Sequence, residues 1–308
     1  MMITGTFCAS LTPFNDDLSI NNEVLFDHCK EIINKGADKI AIFGTTGEAN
    51  LISSHTKMNP LEVLIQKGFD ASNLLPGTGL VSLKETIVFS KFASDNNMAG
   101  VLLLPSYYYK NPTDEGLIDY FSRIVEEVGN TDFKYLLYHI PQISGVGINL
   151  SVIENLLKKY PKNIVGIKDS SNDLENMKKM ITTFPNFSVL SGSDSLAMEV
   201  MRLGGGGAIT ATANLSVSLL SKIVKYAKDS SKDEIVKKMH ILQDQIRKLV
   251  FSQEQISFMK AVLNILSQSN HWTNIMPPLK PLKDFKNNQN ISKVLGLLEE
   301  MKNLTNNS

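Results

Sequence analysis

The sequence predicts an α/β fold, a (β/α)8 TIM barrel with additional C-terminal helices, on three observations. Eight short β-rich runs recur, at 6–11, 39–43, 74–78, 100–104, 134–139, 164–168, 187–190 and 208–211. Amphipathic helical patterns lie between them, and after Asn214 helical periodicity continues with no further strand signal. The main rival is an open doubly wound sheet, but its glycine-rich dinucleotide turn with an acidic ribose partner is missing after the first run. The expected organisation is a catalytic barrel over residues 1–225 and a helical extension over 226–308 packed on it.

The elements follow in order. Between the first two runs, Val24, Leu25, His28, Cys29, Ile32 and Ile33 keep helical spacing over 22–34, and 83–93 repeats the pattern. Asn59-Pro60-Leu61-Glu62 offers an N-cap, a proline at the first helical position and an acid in the first turn, while Ser53 or Ser54 offers an earlier start. Four glycines, 204–207, precede the last run. They stand at the opposite end of the barrel from the strand C-termini, and no Gly-Lys-Ser/Thr follows, so they read as a tight turn rather than a phosphate loop. The helical third comprises 217–228, 233–251 and 255–267, then a crossing marked by Pro277, Pro278 and Pro281, and a polar, frayed tail over 303–308.

Composition narrows the function. In 308 residues, 31 Lys plus Arg balance 31 Asp plus Glu, so no basic field marks the chain for nucleic acid. Only Cys8 and Cys29 are present, both in apolar patterns, and they read as core thiols of a reducing compartment. There is no basic n-region at the N-terminus and no apolar run of about 18 residues, so a cytoplasmic protein with no membrane partner is expected. His28, His55, His139, His240 and His271 show no paired ligand spacing, and neither metal nor cofactor is expected. Small-molecule chemistry is the remaining class.

Its focus is 163–171, Asn-Ile-Val-Gly-Ile-Lys-Asp-Ser-Ser. The β-branched run reads as a strand buried on both faces, with Lys168 at its C-terminal end. A lysine there is costly while charged, and desolvation favours the neutral amine, which attacks ketones. Its bland alternative is pairing with a buried carboxylate or snorkelling to solvent. In a barrel, residues at strand C-termini converge on one face. The second strand ends in Gly44-Thr45-Thr46-Gly47-Glu48, a turn whose N–H groups and hydroxyls suit a small carboxylate or else simply cap the next helix. The fifth run ends in Tyr138-His139-Ile140-Pro141, which puts a phenol beside Lys168.

Together with Thr12-Pro13-Phe14, Gly77-Thr78-Gly79, Tyr107-Tyr108 and Gly166-Ile167-Lys168-Asp169, these motifs resemble the dihydrodipicolinate synthase and N-acetylneuraminate lyase family of pyruvate-dependent class I aldolases, over about residues 3–285. The resemblance implies a homotetramer, pyruvate and an aldehyde as substrates, Lys168 as the Schiff-base lysine and Tyr138 as the proton-shuttling phenol. It makes Thr45 and Thr46 the holders of the ketoacid carboxylate. Tyr108, with Tyr107 as the alternative, is the hydroxyl lent to a neighbouring subunit's site, and Ile209 lends a backbone carbonyl near the ketoacid. His139 stands where many members have asparagine and is expected to tune the pocket. Synthases of lysine biosynthesis carry an arginine where this chain has Ile143, and Lys168-Asp169-Ser170-Ser171 is more similar to aldolases of 2-keto-3-deoxy sugar acids. The expected reaction is therefore reversible carbon–carbon bond formation between pyruvate and an aldehyde. The alternatives are 4-hydroxy-tetrahydrodipicolinate synthase and, from another class, a non-catalytic ketoacid-binding sensor barrel.

Overall fold

The computed structural model describes residues 3–306. Seven parallel strands, β1 (Gly5–Cys8), β2 (Lys39–Ile40), β3 (Val101–Leu103), β4 (Tyr135–His139), β5 (Ile164–Asp169), β6 (Ser188–Ser191) and β7 (Gly207–Thr210), form one curled sheet in the order β2-β1-β7-β6-β5-β4-β3. The predicted run at 74–78, third in chain order, closes it. Leu75 N–H donates to Ile40 O at 2.9 Å and Gly77 N–H to Ile42 O at 2.8 Å, while on the other side Thr78 N–H reaches Leu102 O at 3.0 Å and Leu102 N–H reaches Pro76 O at 2.9 Å. Segment 74–78 thus bridges β2 and β3 without being a regular strand, because Pro76 has no N–H to give to a ladder. Gly77 lies so close to β2 that a Cβ there would stand 2.5 Å from Phe43 O.

Side chains facing the lumen form a core of their own, in which Phe7, Ala41, Leu75, Leu102, Leu136, Leu190 and Ile209 meet. A larger core lies between the sheet and the surrounding helices. Those are α1 (Asn22–Asn34), α2 (Ser54–Gln66), α3 (Leu83–Asp95), α4 (Asp114–Val128), the short α5 (Pro141–Ser144), α6 (Leu150–Lys159), α7 (Leu174–Thr183), α8 (Asp194–Arg202) and α9 (Ala213–Tyr226). Side-chain caps set several starts: Asn21 accepts from Val24 N–H, Ser82 from Glu85 N–H, Thr113 from Gly116 N–H and Asp173 from Asn176 N–H.

Two helical expectations are corrected. Asn59 is not an N-cap, since α2 runs unbroken from Ser54 with Ser53 capping Thr56 N–H and Pro60 inside the helix. Burial of Leu61 and Leu64 on the same helix outweighs the hydrogen bond that Pro60 forfeits. The 303–308 tail is not frayed through 306. A helix not expected from the sequence, α12 (Gln289–Asn306), carries the chain there, and it buries Ile291, Val294, Leu298 and Met301 at spacings of three and four. Residues 307 and 308 lie outside the described residues.

With α10 (Asp233–Phe251) and α11 (Gln255–Leu266), α12 builds a further core that includes Leu219 and Ile223 of α9, Val236 and Ile246 of α10, and Phe258 and Val262 of α11. Leu11, just past the C-terminal end of β1, belongs to that core, so these helices pack toward the end of the barrel where the strands finish. Among the described residues, no helix is long and apolar enough to cross a membrane.

Candidate active site

One irregularity decides which way Lys168 points. β4 and β5 pair as Tyr135 with Ile164, but the next pair is Leu136 with Gly166, so Val165 is an extra residue on β5. Such a bulge shifts the alternation of side chains by one. Val165 faces the lumen core, Ile164 and Ile167 pack outside, and Lys168 faces inward opposite Tyr138. A regular strand in phase with Val165 would send Lys168 out of the lumen. Gly166 makes the close approach possible, because a Cβ would meet Ser188 O at 2.3 Å and Leu136 Cδ1 at 2.8 Å.

Lys168 Nζ stands 3.4 Å from the Tyr138 hydroxyl and 4.4 Å from the centre of its ring. The same hydroxyl stands 3.4 Å from Thr45 Oγ1, with either oxygen able to donate. Lys168 and Tyr138 are buried and Thr45 is half-buried. The three groups therefore form a line from a buried amine through a phenol to a hydroxyl at the mouth.

Thr45 and the buried Thr46 sit in a turn closed by Gly47 N–H to Gly44 O at 3.0 Å and Ala49 N–H to Gly44 O at 3.2 Å. Phe43 and Glu48, at either end of it, adopt left-handed backbone (φ 55° and 59°), and Gly47 touches Ser10 O so closely that a Cβ would lie at 2.9 Å. Thr12 Oγ1–H donates to Gly47 O at 2.7 Å. The turn leaves the N–H groups of Thr45 and Thr46 without a hydrogen-bond partner among the described residues. Two adjacent free amides flanked by hydroxyls make a site for a small anion.

Around this centre, His139 turns to the outside of β4 and its Nδ1 accepts Ile148 N–H at 3.0 Å, which leaves Nε2 as its other polar atom. Burial holds its pKa below the ordinary histidine value, against the opposing charge of Asp169. Asp169 closes the loop after β5 by accepting Ser171 N–H at 2.8 Å, Ser171 O–H at 2.6 Å and Asn176 Nδ2–H at 2.8 Å. Ile209 lies in the lumen core on β7. Ile143 is 61% exposed on α5, and beside it Lys110 Nζ donates to Ser144 O at 2.7 Å and to Tyr107 O.

Tyr108 is not brought to the centre of its own chain. It is 72% exposed and meets the ring of Tyr109 edge to face at 5.3 Å. Tyr107 instead packs against the lumen core, and its hydroxyl accepts Asn50 Nδ2–H at 2.9 Å. Sequence reasoning missed Asn50, and it also missed the buried pair of Glu48 and Lys260, which lie 212 residues apart with Nζ to Oε1 at 2.5 Å. Glu48 was visible as the last residue of the second-strand motif. Nothing in the sequence marked Lys260 as its partner. Among the described residues, no three His, Cys, Asp or Glu side chains gather as metal ligands would.

Residues 2–296 match the dihydrodipicolinate synthetase family. A DapA-like lyase of Chloroflexus aurantiacus, itself uncharacterised, is 33% identical over 211 residues, 68% of this chain and 70% of that one. The 4-hydroxy-tetrahydrodipicolinate synthase of a Hydrogenobaculum species is 30% identical over 269 residues, 86% of this chain and 89% of that one. Among solved structures, the 4-hydroxy-tetrahydrodipicolinate synthase of Methylacidiphilum fumariolicum superposes with a TM-score of 0.87 at 26% identity, covering 99% of both chains.

Proposed function

We propose that this chain, which belongs to the dihydrodipicolinate synthetase family, is a lyase that joins pyruvate to an aldehyde, or parts them, through an imine on Lys168. One observation carries the reading: a buried amine lies 3.4 Å from a phenol that in turn lies 3.4 Å from a hydroxyl beside two free amides. Thr45 and Thr46 bind the carboxylate of pyruvate, and the Lys168 amine attacks its carbonyl carbon. Tyr138 delivers a proton to the resulting hydroxyl so that it leaves as water and an iminium forms. The phenolate left on Tyr138 takes a methyl proton to give the enamine, whose carbon attacks the aldehyde while the aldehyde oxygen takes that proton from the Tyr138 phenol. Water returns the amine and releases the product. The iminium is the electron sink that makes a carbanion at the methyl carbon accessible, and cleavage is the same path reversed. Borohydride added with pyruvate is expected to fix a covalent adduct on Lys168, located by peptide mapping. An adduct on another lysine, or none while turnover is measurable, refutes the imine.

We further infer a homotetramer, in which the exposed Tyr108 completes a relay with Thr45 and Tyr138 across an interface; the exposure of Tyr108 on its own chain supports this. A sensor barrel has no need of an amine so close to a proton carrier, and the geometry favours turnover over binding alone.

For the aldehyde, we favour an acceptor without its own carboxylate, such as the aldehyde half of a 2-keto-3-deoxy sugar acid. An acceptor carboxylate at the rim calls for a bidentate cation, and Ile143 supplies none. The second reading, 4-hydroxy-tetrahydrodipicolinate synthase, is supported by the names of the relatives and by one cation at the rim, Lys110, although its ammonium is held by two carbonyls. Ile143→Arg is expected to raise kcat/KM for aspartate semialdehyde, relative to an uncharged aldehyde, by about one to two decades, the worth of a charge-assisted pair of roughly 1.5–3 kcal/mol. Efficient turnover of aspartate semialdehyde by the unaltered protein would decide for the second reading.

A further inference from the structure

The buried ion pair between Glu48 and Lys260 joins the two ends of the molecule's functional architecture. Glu48 closes the turn that carries Thr45 and Thr46, and its backbone is already committed to a left-handed conformation by the turn. Its carboxylate has no freedom either: Oε1 takes the Lys260 ammonium at 2.5 Å and Oε2 takes Met276 N–H at 2.7 Å. Lys260, on α11 in the helical third, also donates to Asn274 O at 2.9 Å and lies 4.5 Å from the centre of the Phe14 ring. Asn274 in turn donates to Phe14 O at 3.3 Å and to Asp16 Oδ1 at 3.0 Å. One ammonium thus gathers the loop after β1, the loop after β2 and the segment after α11.

Burial works against this pair, raising the Glu48 pKa and lowering that of Lys260, while each partner's charge opposes the shift in the other. A buried pair of this kind is weak support for stability, since an apolar pair of similar volume often serves as well. A directional role explains it better. An ion pair with further hydrogen bonds on both members admits one geometry, whereas apolar packing tolerates sliding. The turn from Gly44 to Ala49 is tied to itself by hydrogen bonds, so a shift of Glu48 carries Thr45 and Thr46 with it.

We propose that Lys260 is a positioning residue for ketoacid binding: through Glu48 it holds the Thr45-Thr46 turn in place relative to Tyr138 and Lys168. The proposal deepens the reading of this site as a pyruvate imine former and rests on it. The helical extension would then set the geometry of the barrel's anion site from outside the barrel.

The test uses the full chain, with pyruvate as probe and two readouts: the pyruvate concentration that half-saturates borohydride labelling, and the separate KM values for pyruvate and aldehyde. Glu48→Gln with Lys260→Met replaces the pair by neutral groups of similar volume. It is expected to raise pyruvate half-saturation by on the order of ten- to a hundredfold, the cost of a small misplacement of binding groups, with the aldehyde KM within roughly twofold of the unaltered protein. If that double variant does not fold, as judged by far-ultraviolet circular dichroism, Glu48→Gln alone keeps the side-chain shape and is expected to show the same split. A folded variant with pyruvate half-saturation within about twofold of the original, or with both KM values raised alike, overturns the positioning role. Failure of the unaltered protein to label at all is a different result, and it removes the imine reading itself.

Discussion

Lys168→Ala is expected to abolish turnover and the borohydride-stabilised pyruvate adduct together, while leaving the fold intact. The amine can condense with a ketone and turn it into an electron sink, and neither of the hydroxyls beside it, Tyr138 and Thr45, can replace it. The fold should survive because removing Lys168 removes a cost. Its amine is buried beside an aromatic ring and, among the described residues, lies within hydrogen-bond reach of a single hydroxyl. A functional group held in such a place is destabilising more often than not, so the melting temperature of the variant should equal or exceed that of the unaltered protein. Lys168→Arg gives a second reading, since it keeps a cation whose planar, permanently charged guanidinium cannot form an imine. Intact-mass analysis after pyruvate and borohydride, with thermal denaturation alongside, checks both. Sustained turnover in either variant would move the chemistry to another residue.

How far the sequence could have led to this site is clearest at β5. The apolar run and its terminal lysine were legible, and so was the neighbouring Tyr138, because strand order in a barrel follows chain order. The inward direction of Lys168 was not. It depends on a bulge at Val165 that exists only in the pairing of β5 with β4, and a strict two-residue alternation from Val165 gives the wrong face. Segment 74–78 shows the same limit in reverse: its apolar residues read as a strand, and Leu75 does line the lumen while Leu74 faces the outer core, yet Pro76 and the close contact of Gly77 replace a regular ladder.

Helix α12 was hidden for a different reason. Its buried residues keep helical spacing, but asparagines and lysines around them lower the local apolar signal, and the face has meaning only against α9, α10 and α11. Pro60 misled because a proline after asparagine is a good helix start in isolation, whereas tertiary burial carries α2 through it. The pair of Glu48 and Lys260 lies beyond any local reading, since neither residue carries a sign of the other and only the packing of α11 against the loop after β2 joins them.

Tyr138→Phe should keep the fold and the ability to form the imine while lowering kcat by about 10² to 10⁴, the usual cost of losing a positioned proton carrier. The substitution is narrow in what it removes. The ring remains in the lumen core with Leu136 and Ile140, and the one lost atom is the hydroxyl that stands 3.4 Å from both Lys168 Nζ and Thr45 Oγ1. Two consequences separate a proton carrier from a packing residue. First, because Lys168 is untouched, pyruvate and borohydride should still label it at long incubation, but the labelling rate should fall with kcat, since departure of water from the carbinolamine needs a proton at that position. Second, Thr45→Val, which removes the outer hydroxyl and leaves the phenol, should slow turnover less than Tyr138→Phe does, because the phenol alone touches the amine. Stopped-time labelling and steady-state rates on the same preparations give both comparisons. Labelling and turnover of Tyr138→Phe at near-native rates would assign the phenol to packing, and the proton path would then have to reach Lys168 without it.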